Sequence, residues 1–108
     1  MKQTETQLVK SCLELLAYKK IFAYRMNSGA FKTESGGFYR MSVNGAPDIV
    51  AVVNGVYVGI ETKIGKNKQS IAQVEFQQGL EKAGGKYLLI RSVDELVDEL
   101  EKLTQLTQ

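Results

Sequence analysis

Apolar residues recur along this chain with two different periods, and the change of period separates helices from strands. A spacing of three or four residues puts apolar side chains on one helical face. Three segments have that spacing: residues 4–20, 70–83 and 93–103. Each begins at a residue that can cap a helix, namely Thr4, Ser70 and Ser92. In the second helix, four apolar residues are predicted to be buried: Ile71, Val74, Phe76 and Leu80.

Runs rich in β-branched and aromatic residues lie between these helices and predict strands. They cover residues 21–28, 38–43, 47–53, 56–63 and 86–91. Residues 29–37 are polar and rich in glycine, so we expect a loop or hairpin connection there. The order is helix, three or four antiparallel strands, helix, strand, helix. It predicts an α/β fold whose mixed sheet is covered by helices on both sides.

One tight turn fixes the register of the central hairpin. Asn-Gly between two β-branched runs is typical of a two-residue turn, because both positions need a positive φ. Counting outward from this turn places Ile49 opposite Ile60 and Asp48 opposite Glu61. Opposed residues share a face of the sheet, and Lys63, two residues beyond Glu61, points the same way. Like charges directly opposite each other destabilise a sheet. The acid pair therefore predicts a divalent cation between the two carboxylates.

The composition narrows the chemistry that such a site can perform. The chain has 108 residues, no histidine and one cysteine, so a zinc site or a histidine-dependent hydrolase is not expected. Carboxylates, lysine and an oxygen-bound Mg²⁺ or Mn²⁺ remain, and the carbonyl of Thr62 could add a ligand. Lys63 could hold or deprotonate an attacking water and offset charge on a phosphate. Cys12 is predicted to be a small core residue.

The length predicts one domain, and no apolar run is long enough to predict a membrane span. The single cysteine and the absence of a signal-peptide pattern predict an intracellular protein. Residues 1–91 carry thirteen basic and seven acidic side chains, so a phosphate backbone is an expected partner. A solvated lysine-rich surface is the alternative. The basic residues concentrate at Lys19, Lys20, Arg25, Lys32, Arg40, Lys63, Lys66 and Lys68.

Each half of the acid pair also has a purely structural interpretation. Asp48 follows a proline and could be only a turn residue, while Glu61 and Lys63 could be an exposed pair on an edge strand. The register argument favours the metal site, because it brings both acids to one face of a hairpin that is otherwise almost wholly apolar.

The residues around the hairpin resemble a known nuclease family. Gly45-Ala46-Pro47-Asp48 and Glu61-Thr62-Lys63 are similar to the PD-(D/E)xK nuclease signature. With residues 25–29, 59–63, Gln73 and residues 83–85, they resemble the VRR-NUC family over nearly the whole chain, as a minimal standalone member. The resemblance implies a restriction-endonuclease-like αβββαβ core, here followed by a carboxyl-terminal helix.

The resemblance also implies roles for individual residues. Asp48 and Glu61 would bind the metal, and Lys63 would be the catalytic lysine. Glu5 would be a further metal ligand, with a favourable charge at a helix start as the alternative. Gln73 would lie near the active site, with a solvent-facing helix position as the alternative. Arg25 and Asn27 match a family motif that would support the substrate or the active site. Together with basic residues from the charge pattern they are the predicted DNA contacts: Arg25, Asn27, Lys32, Arg40, Lys66 and Lys68.

These expectations combine into one function. We expect an Mg²⁺- or Mn²⁺-dependent, structure-selective DNA endonuclease, of the kind that resolves Holliday junctions as a symmetric homodimer, because a four-way junction needs two symmetric cuts. It would work in the cytoplasm or nucleoid of a bacterial or phage-infected cell. The alternatives are a flap, nick or restriction-like nuclease in repair or phage DNA processing, and a DNA-binding module without turnover.

Overall fold

The computed structural model describes residues 3–26, 30–32, 38–40 and 44–105, with the backbone alone for 30–32 and 38–40. The helices are α1 (Glu5–Tyr18), α2 (Ile71–Lys82) and α3 (Val93–Gln105). The strands are β1 (Phe22–Arg25), β2 (Ala30–Lys32), β3 (Phe38–Arg40), β4 (Ile49–Val53), β5 (Val56–Thr62) and β6 (Lys86–Ile90). The chain is therefore α/β, as predicted, but five strands lie between α1 and α2, not the predicted three or four.

Four of the strands form one mixed sheet in the order β1-β4-β5-β6. The pairs β1–β4 and β4–β5 are antiparallel, and β5 pairs with β6 in parallel. The α2 crossover makes this parallel pairing possible, as the sequence predicted. β2 and β3 pair only with each other in the described residues, as a separate two-stranded sheet. β2 lies in the segment predicted to be a loop or hairpin connection.

The hairpin register is confirmed. Asn54 has φ +52° and Gly55 has φ +80°, so both turn positions are left-handed. Val53 pairs with Val56, and Ile49 pairs with Ile60. This pairing continues to Ile49, the first residue of β4. Asp48 directly precedes Ile49 and therefore lies level with Glu61 on β5.

The hydrophobic core lies on one face of the four-stranded sheet, under α1 and α3. The capping box of α1 starts that helix in the predicted place, and its apolar stripe faces the sheet. Side chains from both helices and three strands pack together there: Leu8, Val9, Cys12, Leu16, Ile49, Ala51, Val58, Ile60, Leu88, Ile90, Leu96 and Leu100. The prediction that Cys12 is a core residue is confirmed, since its side chain is fully buried.

Helices flank both faces of the sheet, as predicted, although α2 covers only part of the second face in the described residues. Leu80 of α2 packs over Gly59 and Gly85 on the β5–β6 side. On the β1–β4 side, three apolar side chains stay exposed: Phe22, Tyr24 and Val52. No helix in the described residues is long and apolar enough to cross a membrane.

The predicted burial of Ile71 and Val74 was also wrong, because both are exposed. Phe76 and Leu80 are half-buried. The first turn of α2 packs through its backbone, since the carbonyl of Ala72 lies against Gly45. The side chains at the start of this helix therefore remain outside the contact.

Candidate functional site

Asp48 and Glu61 lie together at the end of the central hairpin. The Asp48 carboxylate accepts two hydrogen bonds at Oδ2, from the Thr62 backbone N–H at 2.8 Å and from Thr62 Oγ1 at 2.9 Å. Because Thr62 is the next residue after Glu61 on β5, these bonds hold the Asp48 carboxylate beside Glu61. The Asp48 carboxylate also acts directly on Glu61 and raises the pKa of its carboxyl, so the two acids lie together as the register predicts.

Glu61 is buried, with 3% of its surface exposed. Its Oε2 accepts a hydrogen bond from Gln73 Nε2 at 2.9 Å, and Lys63 Nζ lies 3.8 Å from the same oxygen. Its other oxygen, Oε1, is buried and has no hydrogen-bond partner. Leaving a buried acceptor unsatisfied costs about 1–3 kcal/mol, and more for a charged group. The site therefore contains an acceptor that a proton or a cation would satisfy.

Burial raises the pKa of the Glu61 carboxyl to about 8. Burial is the largest cause behind this pKa. The negative charge of Asp48 also raises it, the Lys63 ammonium lowers it, and the charge of Glu5 raises it by a smaller amount. Glu61 can also hydrogen-bond to Asp48, but only when a proton stands between the two carboxyl groups, which is a further cause of the raised pKa. At neutral pH the pair thus keeps a proton that a divalent cation could replace.

The Gln73 amide is fixed at both of its ends. Its Oε1 accepts from the Ser70 backbone N–H at 2.8 Å, and the Gln73 backbone N–H donates to Ser70 Oγ at 3.1 Å. These two bonds form the capping box of α2. With Oε1 committed to the cap, Nε2 is directed at Glu61. The prediction that Gln73 lies near the acid pair is confirmed, and the alternative of a solvent-facing position was wrong.

Close backbone packing brings the turn before Asp48 against α2. Gly45 has φ +81°, and a Cβ there would lie 2.2 Å from the carbonyl oxygen of Ala72. A Cβ on Gly59 would lie 2.7 Å from Pro47 Cγ. Only glycine fits at these two contacts. They set the distance between the turn that carries Asp48 and the helix that carries Gln73.

The acid pair fits a hard divalent cation. Mg²⁺ usually binds through one or two carboxylates and keeps several waters, and the unpartnered Glu61 Oε1 beside Asp48 is an oxygen ligand of that kind. In the described part of the chain, no three or more His, Cys, Asp and Glu residues form a metal-binding group. Glu5 therefore influences the charge on Glu61 without completing a three-acid set, and its ligand role stays a prediction. Thr62 is seen as a donor to Asp48, and the role of its carbonyl also stays a prediction.

The predicted DNA contacts are spread over several segments. Arg25 is exposed at the end of β1, next to the β4 end that carries Asp48. Lys66 and Lys68 are exposed in the loop that follows Lys63. Arg91, which the sequence reasoning missed, holds this loop by donating from Nη1 to the Gly65 carbonyl at 2.9 Å. Its position directly after β6 was the available signal.

Two further predicted contacts lie in the β2–β3 pair, and one lies outside the described residues. The backbone of Arg40 pairs with Ala30, and that of Lys32 pairs with Phe38. Asn27 is outside the described part of the chain. Contact of these residues with DNA stays a prediction.

A second group missed by the sequence reasoning is a polar cluster between α2 and β6. Gln69 Nε2 donates to Gln77 Oε1 at 3.0 Å. The Tyr87 hydroxyl is buried nearby, and burial raises its pKa to about 12. Gln69 is close enough to lower that pKa, but the hydroxyl has no hydrogen bond of acceptable geometry. Tyr87 pairs with Gly59 and so lies on the Glu61 face, a register between β5 and β6 that the sequence alone did not give.

A scan against models of known protein families and a search of curated proteins found no match to this chain. The resemblance to the VRR-NUC nucleases therefore depends on the motif residues alone and stays a prediction.

Proposed function

We propose that the protein is an Mg²⁺- or Mn²⁺-dependent DNA endonuclease that hydrolyses phosphodiester bonds at the Asp48–Glu61 pair. One observation carries this proposal. Glu61 Oε1 is buried without a partner beside a second carboxylate, while Lys63 Nζ lies 3.8 Å from the other Glu61 oxygen. A fold that only needed a stable hairpin end would gain nothing from this arrangement, because like charges placed together lower stability.

Each residue has a distinct task in the proposed reaction. Asp48 and Glu61 hold the cation, which lowers the pKa of a bound water and neutralises charge on the phosphate. Thr62 keeps Asp48 in place through its two hydrogen bonds. Gln73 orients Glu61, and Lys63 holds the attacking water and offsets charge that builds on the phosphate. This set of residues needs neither histidine nor cysteine.

The fold also supports a more specific form of this proposal, which names the type of nuclease core. A mixed sheet with helices on both faces, and acids at the end of its central hairpin, is what a restriction-endonuclease-like VRR-NUC core requires. The exposed Arg25, Lys66 and Lys68 are suited to a phosphate backbone, because cationic contacts there bind nucleic acid without reading its sequence.

We further propose branched DNA as the substrate, with two copies of the chain acting on one junction. The proposed site within the described residues is the single Asp48–Glu61 pair. Two symmetric cuts in a four-way junction would need a second copy, related by a two-fold axis. Flap, nicked or duplex DNA is the alternative substrate within the same chemistry.

A DNA-binding module without turnover is the alternative outside enzyme chemistry. The position of Lys63 argues against it, since a purely structural cation is destabilised by an ammonium placed next to its ligand. The two possibilities differ in what Lys63 is expected to do, and the test is built on that residue.

The test incubates end-labelled four-way junction, flap and duplex DNA with the protein and Mg²⁺, with EDTA as the metal-free arm. Lys63→Ala should slow cleavage by about 10²–10⁴-fold, because it removes a group that acts on the water and the phosphate. Lys10→Ala, an exposed lysine on α1, is the matched control and should cleave at the wild-type rate. Cleavage by Lys63→Ala at the wild-type rate would contradict the assigned role. No cleavage of any substrate by the wild-type protein would favour the binding module.

A further inference from the structure

On the part of the sheet that no described helix covers, two aromatic rings lie in a row. Phe22 and Tyr24 are alternate residues of β1, so they share a face. They are 70% and 47% exposed, with ring centroids 6.1 Å apart and an interplanar angle of 74°. Val52, opposite Phe22, is 41% exposed. We call these three residues the aromatic strip. Contiguous apolar surface of this kind marks a binding site more often than chance.

One end of the aromatic strip opens into a groove of about 630 Å³. Phe22 and Val52 line it together with Lys19 and Lys20, which directly follow α1, and Glu101 of α3 also belongs to the lining. The groove is within the size range of small-ligand sites, and its two lysines outnumber the one glutamate. A ligand with a flat apolar part and a negative charge suits this lining.

The other end of the aromatic strip leads to the acid pair. Tyr24 pairs with Val50, and two residues further along β1 the N–H of Met26 donates to the Asp48 carbonyl at 2.8 Å. At about 3.3 Å per residue, the path from Phe22 to the level of Asp48 is about 13 Å long. The rings therefore lie along the line that leads to Asp48, and the groove lies at the Phe22 end of that line, beside the end of α3.

We propose that the aromatic strip binds an unpaired segment of the DNA strand, with bases stacked on Phe22 and Tyr24 and a phosphate at Lys19 and Lys20. This inference rests on the proposed nuclease function and names its substrate class, which is DNA with single-stranded character next to the cut. Aromatic rings beside a cationic groove are how proteins hold single strands without reading sequence. The straight path to the acid pair favours DNA over a second protein copy as the occupant.

The first experiment measures binding of a fluorescein-labelled thymidine 12-mer in EDTA, where no metal-dependent cleavage takes place. Phe22→Ala and Tyr24→Ala should each weaken binding at least about fivefold, since a stacked base contributes about 1 kcal/mol or more. Phe22→Tyr and Tyr24→Phe keep a ring and should retain most of the affinity. Tyr18→Ala is the matched control, because Tyr18 is 85% exposed on α1 and does not line the groove.

A second measurement tests the phosphate contact. Replacing Lys19 and Lys20 together by glutamine should reduce the slope of log K against log salt by about 0.7, because each neutralised phosphate of a single strand contributes about 0.7. An unchanged slope would remove these lysines from the site.

Two results would overturn the proposal. The first is equal thymidine affinity in Phe22→Ala, Tyr24→Ala and the wild type. The second is a dimer-to-monomer change on Phe22→Ala, measured by sedimentation with DNA affinity unchanged, which would assign the aromatic strip to contact between copies. Failure of the nuclease function itself would look different, as absent cleavage with Mg²⁺ while the ring-dependent binding in EDTA persists.

Discussion

The starts of α1 and α2 are built in the same way. Thr4 and Ser70 are the N-caps, and each accepts a hydrogen bond from the N–H three residues later, at 3.1 Å in both cases. In each helix the glutamine at that third position, Gln7 or Gln73, accepts from the N–H of the cap at 2.8 Å. Considered as local structure, the two capping boxes are equivalent.

The two capping boxes differ in the groups that surround them. Gln7 is exposed, whereas the Gln73 amide continues through Nε2 to the buried carboxylate of Glu61. The first turn of α2 is also pressed against Gly45 through the carbonyl of Ala72. One motif therefore starts a helix, and the same motif elsewhere also aims a donor at the acid pair. The chemical role of the capping-box glutamine therefore depends on which group the tertiary structure places next to its side-chain amide.

The largest expected effect comes from the group that Gln73 contacts. Burial raises the pKa of Glu61 to about 8, while the unfolded chain loses this proton near 4.5. Between those values the folded state binds more protons, so the free energy of unfolding should fall as pH rises from 5 to 9. Glu61→Gln cannot ionise and should lose this part of the slope. At pH 9, urea unfolding should find it more stable than wild type, on the order of a few kcal/mol.

The effect of Mg²⁺ on the free energy of unfolding tests the same role of Glu61. Because the cation must displace the Glu61 proton, Mg²⁺ should stabilise the wild type more at pH 8 than at pH 6. It should stabilise Glu61→Gln much less at either pH. Glu14→Gln changes an exposed carboxylate of α1 and is the control for net charge. A Glu61→Gln protein with the wild-type pH slope and the wild-type response to Mg²⁺ would contradict the raised pKa as the cause.

The second prediction exchanges the amide for a carboxylate in both capping boxes. Glutamate still accepts from the cap N–H, so Gln7→Glu should change the free energy of unfolding by no more than about 0.5 kcal/mol. Gln73→Glu keeps the same cap but replaces the donor to Glu61 by a third negative charge. Loss of a hydrogen bond to a charged acceptor predicts a cost of about 2–3 kcal/mol. Urea unfolding at pH 8 without metal measures the free energy of unfolding of both variants. Equal losses of stability in Gln7→Glu and Gln73→Glu would mean that Gln73 acts only as a cap.

Sequence reasoning predicted the parts of this molecule that depend on neighbours in the chain. The Asn54–Gly55 turn determined the hairpin register, and the register brought Asp48 to Glu61. The element order and the parallel β5–β6 pair were also predicted. In each case the information is local, since turn residues, caps and alternation act over a few positions.

What sequence reasoning missed depends on how helices are placed on the sheet. Ile71 and Val74 have helical spacing, but α2 approaches with its backbone at Gly45 and leaves both side chains exposed. The exposure of Phe22 and Tyr24 has the same cause. Periodicity predicts which residues share a face of the sheet, but it does not predict whether a helix covers that face. Likewise, the burial of Tyr87 depends on long-range packing between α2 and β6.

The smallest expected effect is a difference between the Thr4 cap of α1 and the Ser70 cap of α2. Thr4→Ala and Ser70→Ala each remove a side-chain acceptor at a helix start and should each cost about 1 kcal/mol of stability. Ser70→Ala also releases the backbone N–H of Gln73, so the amide that donates to Glu61 is held less firmly. We therefore expect Mg²⁺ to bind a few-fold more weakly to Ser70→Ala and with unchanged affinity to Thr4→Ala, measured by calorimetric titration at pH 8. Equal Mg²⁺ affinities in two equally destabilised variants would show that the α2 cap, like that of α1, only starts a helix.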